Sequence, residues 1–226
     1  MNKSHLITFL AAVVFLGAMW PSTAAANTVL LITVDTSGLS GQTDYLDLQF
    51  EPDPSGSNPA TATVTDFATD GILGAATPSG DVTGNLPGAL AFDNLTVFND
   101  YFQAIKFGSK VSFTLALAGP TPLGGAPSGF NIAIYAYDAP SDSYTPLLTV
   151  SPDGEAAQIV LNPDGSTTIT TFAASSDPGS VSVVNVKEQS SLPEPASFWL
   201  AGLSLAAALV LGRKRLAPRR GITGRA

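Results

Sequence analysis

The 226-residue chain has no cysteine, one histidine, and 10 Lys and Arg against 18 Asp and Glu, for a formal net charge of −8. Without cysteine no disulfide can staple a domain. All 18 acids lie between Asp35 and Glu194, where the only bases are Lys106, Lys110 and Lys187; 3 positive against 18 negative leaves −15, which excludes the phosphate neutralisation that nucleic-acid binding needs.

Met1 to His5 carries one positive charge at Lys3, and Leu6 to Trp20 is a continuous run of apolar and small residues. Pro21-Ser22-Thr23 then leads into Ala24-Ala25-Ala26. Ala24 and Ala26 form an A-x-A site, so the pattern predicts a signal peptide over 1–26, cleaved after Ala26. A retained N-terminal anchor is the alternative, and the small residues that end the segment argue against it. Cleavage removes His5, and the chain from Asn27 to Pro195 then holds no His, Cys or Arg. This excludes Ser-His-Asp and Cys-His nucleophile systems, zinc sites built on His or Cys, and arginine clamps on phosphate. Carboxylates, hydroxyls and three lysines remain.

Strand patterns fill the body, and no stretch reads as an amphipathic helix. Thr28 to Val34 is almost wholly apolar. From Tyr45 to Phe50, Leu46, Leu48 and Phe50 alternate with Asp47 and Gln49. Ala60 to Phe67 is rich in Thr and Val. The clearest strand runs from Val111 to Leu117, where Val111, Phe113, Leu115 and Leu117 alternate with Ser112, Thr114 and Ala116. Phe130, Ile132 and Ile134 repeat the pattern with Asn131, Ala133 and Tyr135 between and after them. Further strands are predicted at 147–150, 157–161, 167–172 and 181–186. Ser151-Pro152-Asp153-Gly154 and Asn162-Pro163-Asp164-Gly165 are strong turn signals. Long loops are predicted at 51–59, 69–90 and 119–129. Short strands with this punctuation predict an all-β domain over 27–188, an antiparallel β-sandwich of jelly-roll-like or Ig-like form.

Several constellations in the body suggest ligands. Asp35, Asp44 and Asp47 cluster early, and calcium favours oxygen ligands on loops. No spacing here matches an EF-hand or a nonapeptide repeat, so structural calcium is the one cofactor the acids suggest, and none is otherwise expected. Aspartates in the turns, among them Asp138, Asp142, Asp153 and Asp164, serve backbone hydrogen bonding first. Paired carboxylates also suit glycoside hydrolysis, which makes a small secreted hydrolase the alternative to a non-enzymatic module. Tyr135, Tyr137 and Tyr144 suggest an aromatic platform for sugar rings, against the plainer reading as cross-strand packing partners. Asn94-Leu95-Thr96 matches a glycosylation sequon by coincidence.

After a linker, Pro193-Glu194-Pro195 closes the segment 189–195. The seventeen residues Ala196 to Gly212 are apolar apart from Ser197 and Ser204. As a helix they reach roughly 25 Å, near the lower limit for a hydrocarbon core of about 30 Å. Arg213-Lys214-Arg215, Arg219, Arg220 and Arg225 follow, and such a basic block belongs on the cytoplasmic side. The segments are therefore a transmembrane helix over 196–212 and a cytoplasmic tail over 213–226. A buried helix of a soluble domain rarely ends in so dense a basic block.

Motif, span and basic stop, in that order, resemble the PEP-CTERM sorting signal of Gram-negative bacteria, over Leu192 to Arg220. A Gram-positive sortase motif would need Thr and Gly where this chain has Pro195 and Ala196, and a eukaryotic lipid-anchor signal would end in its apolar tail. The resemblance implies Pro193, Glu194 and Pro195 as the recognition motif for an exosortase and Arg213, Lys214 and Arg215 as the stop. It further implies export across the inner membrane, transient anchoring, and a final place on the cell surface or in an exopolysaccharide matrix. The body, including Phe98-Asn99-Asp100-Tyr101, looks like uncharacterised β-rich bodies found on such tails, a likeness that implies no activity.

Overall fold

The alternation along Val111 to Leu117 predicts a strand with one face in the core, and the computed structural model places it there. The structure describes residues 26–119, 125–138 and 140–189. Val111, Leu115 and Leu117 are fully buried and Phe113 nearly so, while Ser112, Thr114 and Ala116 face outward. The described residues form strands β1 (Ala26–Asp35), β2 (Thr43–Pro52), β3 (Thr61–Thr69), β4 (Ile72–Ser79), β5 (Val82–Gly84), β6 (Leu90–Asp93), β7 (Asp100–Lys106) and β8 (Lys110–Gly119). They continue with β9 (Ser128–Asp138), β10 (Ser143–Pro146), β11 (Glu155–Leu161), β12 (Thr167–Thr171) and β13 (Val184–Gln189).

The strands make two antiparallel sheets, in the orders β13-β1-β8-β3-β6-β5 and β12-β11-β9-β2-β7-β4, with β10 pairing onto β9. Their buried faces supply one hydrophobic core, in which Leu30, Ile32 and Phe113 of the first sheet join Leu46, Leu48, Phe130 and Ile132 of the second. Phe92 of β6 meets Phe130 of β9 edge-on, ring centroids 5.8 Å apart, which ties the two sheets together. Among the first eight strands the partners nest: β1 with β8, β2 with β7, and β3 with β6, closing around the β4–β5 turn.

Several loops and strands differ from the sequence expectation. The predicted loop over 69–90 contains β4 and β5. β4 reads poorly because it is an edge strand: it pairs only with β7, bulges between Leu73 and Ala76, and carries Pro78 without losing a ladder partner on its free side. The strand predicted at 147–150 is not one. Leu148 has φ 57°, which breaks the extension, and the pairing belongs to β10 just before it. Both proline turns form, with Gly154 at φ 92° and Gly165 at φ 84°. Gly165 N–H donates to Asn162 O at 2.9 Å.

Among the described residues no helix is long and apolar enough to cross a membrane. Ala24, the motif Pro193–Pro195, the predicted span at 196–212 and the stop Arg213–Arg215 lie outside the described residues. Ala26 opens β1 in register with Gly119.

Candidate functional site

The outer face of the seven-stranded sheet departs from simple alternation. Asp47 and Ala133, which face away from the core, are each only 3 % exposed. Aromatic side chains cover them. In register, Tyr45 of β2 lies opposite Tyr135 of β9, and Asp47 lies opposite Phe102 of β7. Tyr45 stacks on Phe102 with centroids 4.5 Å apart and planes 17° from parallel. Tyr144 of β10 sets its edge against Phe102 at 5.0 Å and leans on Tyr137 at 4.9 Å. Cross-strand contacts of this kind hold the rings at small entropic cost.

Beside the rings opens a cleft of about 470 Å³, with Asp47, Gln49 and Asp100 at its base and Phe98, Phe102, Tyr135 and Tyr144 around it. Phe98 and Tyr144 are about half exposed at its rim, at 48 % and 50 %. Tyr135 is fixed from behind by the Ser151–Gly154 turn: a Cβ on Gly154 would sit 2.9 Å from its Oη. Tyr137 Oη donates to Asp142 Oδ1 at 2.8 Å, which tethers the outer end of that ring.

The base of the cleft is electrostatically unusual. Gln49 Nε2 donates to Asp47 Oδ2 at 2.7 Å. Asp47 Oδ1 and Asp100 Oδ1 are both buried and, while both carboxyls are ionised, find no donor among the described residues. Burial raises the Asp47 carboxyl far above the ordinary range, and its hydrogen bond and charge contact with Asp100 raise it further, against the opposing pull of Gln49. Burial also raises Asp100, and the bond from Asp47 partly offsets this. The Asp47 carboxyl is thereby pushed up to about 9. Tyr135 is pushed up to about 12, first by burial and then by the charges of Asp47, Glu155 and Asp100.

The structure brings Tyr135, Tyr137 and Tyr144 together as one aromatic group and adds Tyr45 and Phe102 to it. It does not bring Asp35, Asp44 and Asp47 together. Asp35 ends β1 opposite Lys110, and hydrogen bonds from the Ser37 side chain and, at 3.0 Å, the Ser37 N–H hold its carboxyl below the usual range. Asp44 and Asp47 stand three residues apart on one strand and so point to opposite faces. Among the described residues no three acidic side chains converge as a metal site. Of the turn aspartates, Asp164 accepts the Ser166 N–H at 2.9 Å, whereas Asp142 accepts from the Tyr137 hydroxyl. Asn94 is a buried pin, accepting from Ala60 N at 2.7 Å and donating to Asn58 O and Ser128 Oγ, so the sequon match has no free amide.

A second cleft of about 480 Å³ lies on the other sheet, beside Thr61, Thr63, Asp81 and Asp93. It has no exposed ring comparable to Tyr144, and the aromatic cleft is the stronger candidate. No family model, curated protein or solved structure matches this chain.

Proposed function

We propose that this is an exported surface or extracellular-matrix protein whose β-domain is a non-enzymatic, polysaccharide-associated module. Its route is read from the ends of the chain: a signal peptide over 1–26, and an exosortase signal at Pro193-Glu194-Pro195 ahead of a span and Arg213-Lys214-Arg215. On this reading the mature domain is delivered outside the inner membrane of a Gram-negative bacterium, held briefly by the span, and passed to the surface or matrix. The nested pairing of β1 to β8 supports a jelly-roll-like rather than an Ig-like sandwich, with β9 to β13 as additions at one side.

The observation that carries the binding role is the cleft: exposed aromatic faces beside hydrogen-bonding groups on a rigid sheet. Sugar rings stack their C–H faces on aromatic rings and present hydroxyls at the edge, and both needs are met within one cleft. Sheet-borne side chains are also held more firmly than loop-borne ones. Co-sedimentation of the full-length protein with matrix polysaccharide tests this. Wild type should pellet with the polymer, and Tyr144→Ala, at a half-exposed rim position, should largely stay in the supernatant. Equal pelleting of both would count against the cleft.

The second reading, a small carboxylate-dependent hydrolase, draws on the Asp47–Asp100 pair, since one carboxyl is held protonated as a general acid must be. Glycosidases, however, place their two carboxyls roughly 5–9.5 Å apart so that the scissile bond and water fit between them. Carboxyls that hydrogen-bond each other directly leave no such gap. The geometry therefore favours binding over cleavage.

A further inference from the structure

We infer that the free edge of β12 is a self-association surface, at which two copies of this chain pair antiparallel about Ile169 and join their seven-stranded sheets into one. β12 ends its sheet and pairs only with β11. An exposed edge is a template for another strand, and natural sheets blunt it with charge, proline, a bulge or shortness. The other free edges among the described residues are blunted in these ways. β4 has Pro78 and a bulge, β5 is three residues long, β10 is four residues ending in Pro146, and β13 carries Lys187 and Glu188. β12 is Thr167-Thr168-Ile169-Thr170-Thr171, with no charge, no proline and no bulge in its pairing with β11. β13 comes near it from the other sheet but forms no ladder with it.

Three features select a second copy as the partner. The strand reads the same in both directions from Ile169, so a two-fold axis there sets Thr168 opposite Thr170 and Thr167 opposite Thr171. Such an interface is isologous, and Thr–Thr is a favourable cross-strand pair. The hydrogen-bond phase fits the same axis. Phe172 N–H donates to Ala156 O at 3.0 Å on the β11 side, and the direction of these groups alternates along an antiparallel strand. Thr168 and Thr170 therefore bond to β11, while Thr167, Ile169 and Thr171 turn their N–H and C=O groups to the free edge. Pairing about Ile169 brings those groups face to face, each facing pair exchanging two bonds. Charge is the third feature. The body carries 18 acids against three lysines and repels its copy wherever acids meet, but residues 165–176 hold no charge at all. Ile169, partly buried against the core, meets its symmetry mate on the inner face and extends the core across the joint. The two-fold stands perpendicular to the sheet, so both aromatic clefts face the same side.

Single-cysteine variants test this cleanly, since the chain has no cysteine of its own. Thr168 and Thr170 are exposed on the outer face, so Thr168→Cys and Thr170→Cys leave the core untouched. In the dimer these two positions face each other as a non-hydrogen-bonded pair, with Cα atoms about 4.5 Å apart, within reach of a disulfide. Two copies of the same variant face each other only on the diagonal, at about 7–8 Å. Full-length protein in detergent, oxidised after mixing the two variants, should give a disulfide-linked dimer, and either variant oxidised alone should give little. Thr171→Pro removes an N–H aimed at the free edge and spares the β11 ladder. Placed in both partners, it should weaken association about tenfold, the scale of two backbone hydrogen bonds. Thermal melts check that this variant is folded; if it is not, the cysteine mixture decides alone. No dimer from the mixture overturns self-association at β12. An equal yield from either variant alone overturns the pairing about Ile169, as does an unchanged yield from folded Thr171→Pro.

Discussion

Replacing Phe113 by Ala perturbs the core at its centre. Phe113 is 1 % exposed on β8, between β1 and β3, in register with Ile32 and stacked on Phe67 with centroids 6.4 Å apart. Truncation removes the ring's transfer energy and leaves a cavity that two flanking strands cannot close, which costs about 3–5 kcal/mol. Loss of the ring pair adds roughly 0.5–1.5 kcal/mol, so the upper part of that range is expected. For a domain of this size each kcal/mol lowers Tm by about 2–4 °C, so about 4–5 kcal/mol gives a fall of about 8–20 °C. Ser112, the next residue, points outward opposite Thr33, and Ser112→Ala should stay within about 0.5 kcal/mol. Urea denaturation followed by far-ultraviolet circular dichroism compares the two. Equal midpoints would mean that β8 does not present Phe113 to a core between two sheets.

Other expectations follow from the same structure and from the chain ends. Changing Pro193-Glu194-Pro195 to alanines should leave export intact and block tail removal, so that immunoblots show a full-length membrane-bound form; wild-type processing would refute the sorting signal. A cysteine at Ser190 should react with an impermeant thiol reagent once the outer membrane is opened, and one placed after Arg220 should not; labelling of the tail would reverse the topology. Because Asp47 is raised in the folded protein, the native state holds its proton where the unfolded chain has lost it, so Asp47 contributes stability that is full below the ordinary carboxylate range and fades as pH rises through the raised value. Asp47→Asn should therefore flatten the decline in Tm between mildly acidic pH and about pH 9, and an unchanged decline would show that another group causes it. Gly154→Ala forces a Cβ against Tyr135 Oη at a φ of 92°, and should destabilise the turn and loosen ligand binding together; unchanged binding would mean Tyr135 is not part of the site.

Where a strand buries one face behind clean alternation, as in β8 and in Leu46 to Phe50, its location and its inward residues are legible in the sequence. β7 is not, because Gln103 occupies an inward position between Tyr101 and Ile105. Its amide is satisfied by Gly74 O at 3.0 Å and Ala104 O at 2.8 Å, partners that no local pattern announces. β4 is hidden for the opposite reason, since an exposed edge strand of Ala, Thr, Pro and Ser needs no apolar period. The site divides in the same way. Tyr135, Tyr137 and Tyr144 are close in sequence and readable as a group. Tyr45, Asp100 and Phe102 join them only through the β2–β7 and β2–β9 registers, which pair residues far apart in the chain. The Asp47–Asp100 pair depends on those same registers, so the acidic base of the cleft is visible only once the strands are paired.

A bound glycan should touch the domain at the aromatic cleft. Nuclear magnetic resonance titration of the protein with a soluble matrix-polysaccharide fragment locates that contact, with the tyrosine and phenylalanine ring resonances assigned. The Tyr144, Tyr135 and Phe102 rings should shift together and saturate at one ligand concentration, while the outward Thr61 and Thr63 of the other sheet stay still. Shifts confined to Thr61 and Thr63, or none at saturating polymer, would contradict it.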